Sequence, residues 1–270
     1  MRSVGIRDVE AFIAYQKGLE AHAAAPGNQR DILDLERILF SEDWSRLPAQ
    51  IHNAMQPGGC AQMNWTNNFI APFGWAKQLT GKYREKLACD PMDIVPSYYL
   101  PLALIWAGDL EAALQAIEEA QNKGLSYALL EDGRFWALLA AGRVNDPAMR
   151  GPGPKGSRMG CPRQILREAL AGDPAVARQM AKEHWSRPDA DDWSSLAIAA
   201  VVGDREQANE FAARIDAYPG SAFVLSTTVS TCFCGAPFDL EATPNYKARI
   251  EEAGITWPPP KRIDYPTKTW

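Results

Sequence analysis

Apolar residues recur every three or four positions along most of the chain, with charged and amide residues between them. In the segment 110–122, leucine, isoleucine and alanine follow this spacing, and glutamate and glutamine fill the other positions, which predicts an amphipathic helix. Another helix is predicted just before it, over residues 98–107. Between the two, Gly108 is the residue type that commonly ends a helix in the left-handed conformation, and Asp109 can cap the next helix. Residues 96–125 therefore predict a helical hairpin, which needs similar neighbours to bury its apolar faces.

The same glycine turn recurs along the chain at intervals of 34, 34, 30, 31 and 32 residues, at Gly74, Gly108, Gly142, Gly172, Gly203 and Gly235. A small residue follows five positions later in three of these turns, as Ala113, Ala177 and Ala208. A period in the low thirties with two helices per unit is typical of an α-solenoid.

With this glycine–alanine pair, with Ile117 and Ala120 and with the 34-residue step, the chain resembles the tetratricopeptide repeat (TPR) family. The segment FDLEATPNYKARIEEAGITWPP resembles the closing segment of the helical-repeat domains that follow bacterial class III adenylyl cyclases and related regulators. The resemblance implies an all-α fold, an α-solenoid of about six to seven degenerate TPR-like hairpins. In that family, the first helices of the hairpins line a concave groove.

The predicted solenoid spans residues 1–256, and a proline-rich, extended tail follows over residues 257–270. An irregular loop over residues 146–162 interrupts it, because six glycines and prolines between Gly151 and Gly160 exclude regular structure there. Residues 221–235 carry two opposing signals. Their β-branched side chains favour a strand, whereas the repeat period favours a first helix, and we expect the helix.

Composition and charge narrow the function classes. Hydrophobic residues make up 46% of the chain, as in an ordinary folded protein, and the net charge of −5 gives no reason to expect nucleic acid as a partner. No apolar run is long enough to cross a bilayer, and the first residues lack the apolar core of a signal peptide. Five scattered cysteines do not suggest a disulfide framework. We therefore expect a cytoplasmic protein with reduced thiols.

The candidate ligand-binding residues fall into three groups: the amides Asn64, Asn67 and Asn68, the aromatic side chains Trp65, Trp106 and Trp136, and the basic residues Lys155, Arg158 and Arg163 of the loop or beside it. In TPR domains that bind peptide carboxylates, asparagines of the first helices face the groove, so the resemblance implies this role for the amides; a frayed helix with solvated amides is the alternative. The tryptophans are either wedged between helices or exposed as groove anchors. The basic loop can meet an anionic ligand, or it is a solvated insertion.

Reactive chemistry has few candidates. Cys232 and Cys234 form a C-x-C pair, which can share a soft metal or be redox-active. On a helix, however, residues two apart face different sides, so two inert buried cysteines are the simpler interpretation. His184 lies near a predicted helix end, where the helix dipole favours a cation; catalysis by His184 is the alternative.

These patterns predict a non-enzymatic binding or scaffold module without a cofactor, whose concave groove binds a peptide, a partner protein or a small ligand. Assembly into a homo-oligomer is a further option. The alternative is an enzyme or metal-binding protein, with a pocket closed by the 146–162 loop and chemistry at Cys232/Cys234 or His184.

Overall fold

The computed structural model describes residues 28–56, 65–126, 128–151 and 162–270, and within these ranges the chain is all-α, with helices and no strand. Residues 1–27, the start of the predicted solenoid, lie outside them. Three short 3-10 helices cover Trp65–Phe73, Pro147–Met149 and Leu240–Ala242. The described α-helices are α1 Asn28–Phe40, α2 Leu47–Ala54, α3 Ala76–Cys89, α4 Ile94–Ala107, α5 Leu110–Asn122, α6 Ala128–Ala140, α7 Arg163–Ala171, α8 Pro174–Trp185, α9 Asp192–Val202, α10 Arg205–Asp216, α11 Ser221–Cys232 and α12 Pro244–Glu252.

The hairpin predicted between residues 96 and 125 is confirmed as α4 and α5. Helix α4 begins earlier than expected, because the carboxylate of Asp93 accepts a hydrogen bond from the backbone N–H of Val95 (3.0 Å) and so caps the first turn. Gly108 ends α4 in the left-handed conformation (φ +83°). The Asp109 carboxylate then accepts from the N–H of Ala112 and starts α5.

The helices of this fold differ in how many of their residues are buried. Ten of the 14 residues of α4, eight of the 11 of α9 and nine of the 12 of α11 are buried, so these helices are enclosed on nearly every side. Helices α5 and α10 bury only one stripe. Each pairs with the enclosed helix before it in the chain, and α11 packs against α9. This division places the core along α4, α9 and α11.

The last helices pack back onto the first ones. The ring of Phe223 on α11 stacks on Phe40 of α1 with centroids 4.0 Å apart, and it meets Phe69 edge-on at 4.7 Å. The N–H of Trp44 donates to the Glu252 carboxylate of α12 (3.1 Å). The two ends of the described chain are therefore joined through side-chain packing and hydrogen bonds.

The residues 221–235 form a helix, as the repeat period predicts, but it ends at Cys232. Asn67 and Asn68, which were expected on a first helix facing the groove, lie in the 3-10 helix Trp65–Phe73, which has Pro72 inside it. No helix of the described residues is long and apolar enough to cross a membrane.

The prediction that all thiols are reduced is wrong for one cysteine. Cys89, at the end of α3, is disulfide-bonded. Cys232 and Cys234 are free. An odd, scattered set of cysteines still permits a single bridge, because pairing depends on the distance between side chains in the fold rather than on their number. The cytoplasmic location stays a prediction.

Candidate functional site

The carboxyl ends of α4, α9 and α11 share one partner, the tail after α12. The Arg262 guanidinium donates to the carbonyl of Trp106 in the last turn of α4 (2.9 Å), and the Thr267 hydroxyl donates to the carbonyl of Val201 in the last turn of α9 (3.3 Å). The N–H groups of Arg262 and Ile263 both donate to the carbonyl of Phe233, one residue beyond α11 (2.8 and 2.9 Å). The last carbonyls of a helix have no partner within it and carry partial negative charge. The donors and cations of the tail therefore complement these three ends.

Gly203 shows how closely the tail approaches. It ends α9 with φ +74°, and a Cβ atom built on it would lie only 2.0 Å from the carbonyl oxygen of Thr267. A side chain at this position would displace the tail. Glycine is thus required here both for the left-handed turn and for the space.

Helix α11 ends on Phe233, the only non-glycine residue of the described chain with positive φ (+54°). A bulky residue in this conformation is uncommon and costs free energy. The Phe233 ring is completely buried, and it stacks on Trp106 with centroids 5.0 Å apart and contacts Trp136 at 5.3 Å. This aromatic packing stabilises the turn.

The two cysteines of the C-x-C pair flank the turn at Phe233. Cys232 is the last residue of α11, and Cys234 lies beyond the turn, in an isolated antiparallel bridge with Lys261 of the tail. Both side chains are buried, with 2% of Cys232 and 1% of Cys234 exposed. The helix expected over residues 221–235 ends at Cys232, so Cys234 does not lie on it.

The electrostatics of the thiol pair differ from those of an isolated buried cysteine. The hydrogen bond from Cys232 lowers the pKa of Cys234 below its ordinary value, against the opposing effect of burial, and the charges of Lys268 and Lys261 act in the same direction. Burial in turn lowers the pKa of Lys268, and the nearby thiols oppose that effect. Lys268 Nζ donates to the carbonyl oxygen of Trp270 (2.6 Å) and lies 3.8 Å from the centroid of its ring. A buried amine thus stands beside a dithiol.

The predicted groove residues are not brought together as an open site. Trp106 and Trp136 are buried in the core, where the Trp106 indole donates to the carbonyl of Ser230 (3.0 Å). Asn68 is also buried, and its side-chain oxygen has no hydrogen-bond partner. Because all three side chains are buried, none of them is accessible to a ligand. Asn64 and the side chains of Trp65 and Asn67 lie outside the described part of the structure.

The basic loop is described at its edges only, and Lys155 and Arg158 lie outside the described residues. Arg163 starts α7 and forms a buried ion pair with Asp132 of α6 at 2.9 Å. Its guanidinium also lies 4.7 Å from the centroid of the Phe135 ring. Arg163 therefore joins two helices in the core, which differs from the predicted contact with an anionic ligand.

His184 lies in the last turn of α8, as expected, but its environment does not favour a cation. Burial and the charge of Arg187 lower the pKa of its imidazole, against the helix dipole and the opposing charges of Asp191 and Asp189. Within the described residues no group of three or more histidine, cysteine or carboxylate side chains is arranged to hold a metal ion.

The sequence pattern did not indicate Lys268 or the tail contacts. The tail was predicted as extended, but its partners are set by the fold, and no local motif marks Lys268. A separate open groove of about 440 Å³ lies between α3, α4 and α5, with Arg84, Glu119 and Lys123 among its lining residues. Compared with protein-family models, with curated proteins and with solved structures, the chain gives no match.

Proposed function

We propose that this chain is a non-enzymatic binding module that holds an extended, basic peptide segment across the carboxyl ends of α4, α9 and α11. The observation that carries the proposal is the binding of the chain's own residues 261–268 at this surface. The segment makes two backbone hydrogen bonds to Phe233, and Arg262 and Thr267 each add a side-chain hydrogen bond to a helix end. A surface that recognises main-chain groups and basic side chains suits other peptides of similar chemistry.

The hairpins support the finer proposal that the array is a degenerate TPR-like solenoid. The α4–α5 and α9–α10 hairpins use the same turn, a left-handed glycine followed by an aspartate that caps the second helix. The partner would be a protein or a peptide, and the tail would occupy its site until the partner displaces it. A tethered segment competes at an effective concentration of about 1 mM, so a free peptide of micromolar affinity binds the intact chain weakly.

The test uses the full chain, a fluorescent peptide of residues 257–270 and a scrambled peptide of the same composition. Arg262→Ala removes the bond of the tail to the Trp106 carbonyl and leaves the three helix ends unchanged, whereas Thr269→Ala is the matched control, because Thr269 is exposed in the same tail. We expect the wild-type peptide to bind Arg262→Ala about tenfold more tightly than it binds the wild type or Thr269→Ala.

Hydrogen exchange of the Arg262 and Ile263 amides reports whether the tail has been lifted. If those amides exchange rapidly in Arg262→Ala and the peptide still binds no better than the scrambled control, the proposal is wrong. Anisotropy measured at several salt concentrations should also show weaker binding at high salt, since basic residues meet the partial charges of helix ends.

A further inference from the structure

The ring of Trp270 follows the docked segment 261–268 and packs against the core beside α10. The guanidinium carbon of Arg205, the first residue of α10, lies 5.9 Å from the centroid of this ring. Lys268 Nζ lies 3.8 Å from the same centroid and donates to the Trp270 carbonyl oxygen (2.6 Å). Cations within about 6 Å of an aromatic ring are attracted to its π-electrons. The ring therefore meets one cation of the helical array and one cation of its own segment.

The position of the Arg205 guanidinium is set by neighbours outside the tail. Its side chain is 57% exposed, so burial does not hold it in place. Two of its nitrogens donate to the two carboxylate oxygens of Asp239, at 2.8 and 2.7 Å. Asn209 of α10 donates to the same carboxylate (2.6 Å) and accepts from the Asp239 N–H (2.8 Å). A bidentate pair of this kind fixes the plane of the guanidinium, so the cation is in place for an aromatic ring.

The indole nitrogen of Trp270 shows which part of the side chain is recognised. This nitrogen is buried, but it has no hydrogen-bond partner among the described residues. A buried N–H without an acceptor costs free energy, so hydrogen bonding by the indole does not explain the packing. The observed attraction is between the ring and the cations. A phenyl ring can make the same contact without leaving an N–H unpaired.

We propose that the peptide site includes an aromatic subsite, formed by Arg205 and positioned by Asp239 and Asn209. The partner is then a basic peptide segment with phenylalanine or tryptophan two positions after a lysine, as Trp270 follows Lys268 in the tail. Leucine at that position is apolar but has no π-electrons to attract the cations. This inference rests on the proposed function, because it names the chemistry of the segment that displaces the tail.

The first test compares three fluorescent peptides of residues 257–270 on the Arg262→Ala chain: the wild-type sequence, Trp270→Phe and Trp270→Leu. We expect the Trp270→Phe peptide to bind within about twofold of the wild-type peptide, and the Trp270→Leu peptide to bind about tenfold more weakly. All three peptides compete with the same tail of the chain. The ratio of their dissociation constants therefore does not depend on how strongly that tail competes.

The second test adds Arg205→Met to the same chain, which removes the cation and keeps a side chain of similar length. The ratio between the Trp270→Leu and wild-type peptides should fall by about threefold, the size of an exposed cation–π contact. Arg214→Met is the matched control on the same helix. Arg214 likewise pairs with a carboxylate, that of Asp192 (2.8 Å), and lies 4.5 Å from a ring centroid, that of Phe211. Its removal should leave the ratio unchanged.

The outcomes separate this inference from the proposed function. If the wild-type peptide binds no better than its scrambled control, both are wrong. If it binds and the Trp270→Leu peptide binds equally well, the peptide site stands and the aromatic subsite is wrong. An unchanged ratio in Arg205→Met, or an equal fall in Arg214→Met, would also overturn the subsite. Circular dichroism shows whether each chain is folded, and the three peptides on Arg262→Ala decide the case where Arg205→Met is not.

Discussion

Helices α9 and α11 lie side by side and both end in a left-handed residue, but α9 ends on Gly203 and α11 on Phe233. At Gly203 the absence of a side chain lets the tail backbone pass directly over the helix end. At Phe233 a full aromatic side chain adopts the same conformation and fills the space between two tryptophans. The turn at Gly203 is unstrained and leaves space for the tail. The turn at Phe233 is strained, and its ring packs between Trp106 and Trp136. The comparison shows that the same left-handed backbone conformation can either allow another segment to approach a helix end or place a side chain in the core.

The largest expected effect comes from Phe233→Ala. Removing a buried ring between Trp106 and Trp136 should lower the free energy of unfolding by about 3–5 kcal/mol. Phe233→Gly removes the ring as well but adopts positive φ freely, so it should be more stable than Phe233→Ala by about 1 kcal/mol. Urea unfolding of both variants measures the difference. An alanine variant more stable than the glycine variant would mean that the turn is not strained.

The next prediction separates the cost of a steric collision at Gly203 from the cost of the left-handed conformation. Gly142→Ala introduces only the left-handed strain and should cost about 1 kcal/mol of unfolding free energy. Gly203→Ala adds the collision with Thr267 and should cost about 2–3 kcal/mol, or displace the tail. Equal losses in the two variants, with slow amide exchange at Arg262 in both, would contradict the close approach of the tail.

A smaller effect is expected from Thr267→Val, which keeps the shape of the side chain and removes its hydroxyl. The hydrogen bond to the Val201 carbonyl is partly buried, so its loss should cost about 0.5–1.5 kcal/mol. Thr269→Val is the matched control, because Thr269 is exposed in the same tail. Thermal unfolding of the two variants gives the comparison, and a larger loss at Thr269 would argue against the docking described for α9.

The smallest effect is a change in the pH dependence of stability at the phenylalanine end. The pKa of Cys234 is lowered from 9.0 by the Cys232 hydrogen bond, and the pKa of Lys268 is lowered from 10.5 by burial. In both cases the unfolded chain binds more protons as the pH approaches those ordinary values, so each group makes stability rise with pH in the alkaline range. Cys234→Ser and Lys268→Met should each flatten that rise in urea unfolding curves measured from neutral to alkaline pH. The stability of Lys182→Met, on the exposed face of α8, should depend on pH as that of the wild type does. If its curve is flattened as well, the pH dependence does not come from Cys234 and Lys268.

Most of the local structure could be predicted from the sequence. The Gly108–Asp109 turn sets the end of one helix and the cap of the next through bonds between neighbours in the chain. Five of the six repeat glycines adopt positive φ, and Gly172 does not (φ −96°). Gly172 lies close to the 146–162 loop that interrupts the repeat, and there the repeat period did not predict the sign of φ.

The candidate site could be predicted only in part, because its geometry depends on contacts distant in sequence. The C-x-C pair is visible in the sequence, but the left-handed Phe233 that joins the thiols has no sequence signature, since glycine is the residue expected there. The tail bond between Arg262 and Trp106 joins residues 156 positions apart, and that between Thr267 and Val201 joins residues 66 apart. Trp106 and Trp136 illustrate the same limit, because Phe233 fills the space where a ligand was expected.

The bond between Trp44 and Glu252 also has a consequence for how the chain folds, because it joins residues 208 positions apart. The helical hairpins form from contacts between near neighbours, which is typically fast, whereas closure of the ends must wait until both are built. Before closure, the rings of Phe40 and Phe223 are not yet stacked on each other. In a concentrated solution the last helices of one chain can then close onto the first helices of another, which makes a domain-swapped dimer the characteristic misfolded product of this topology.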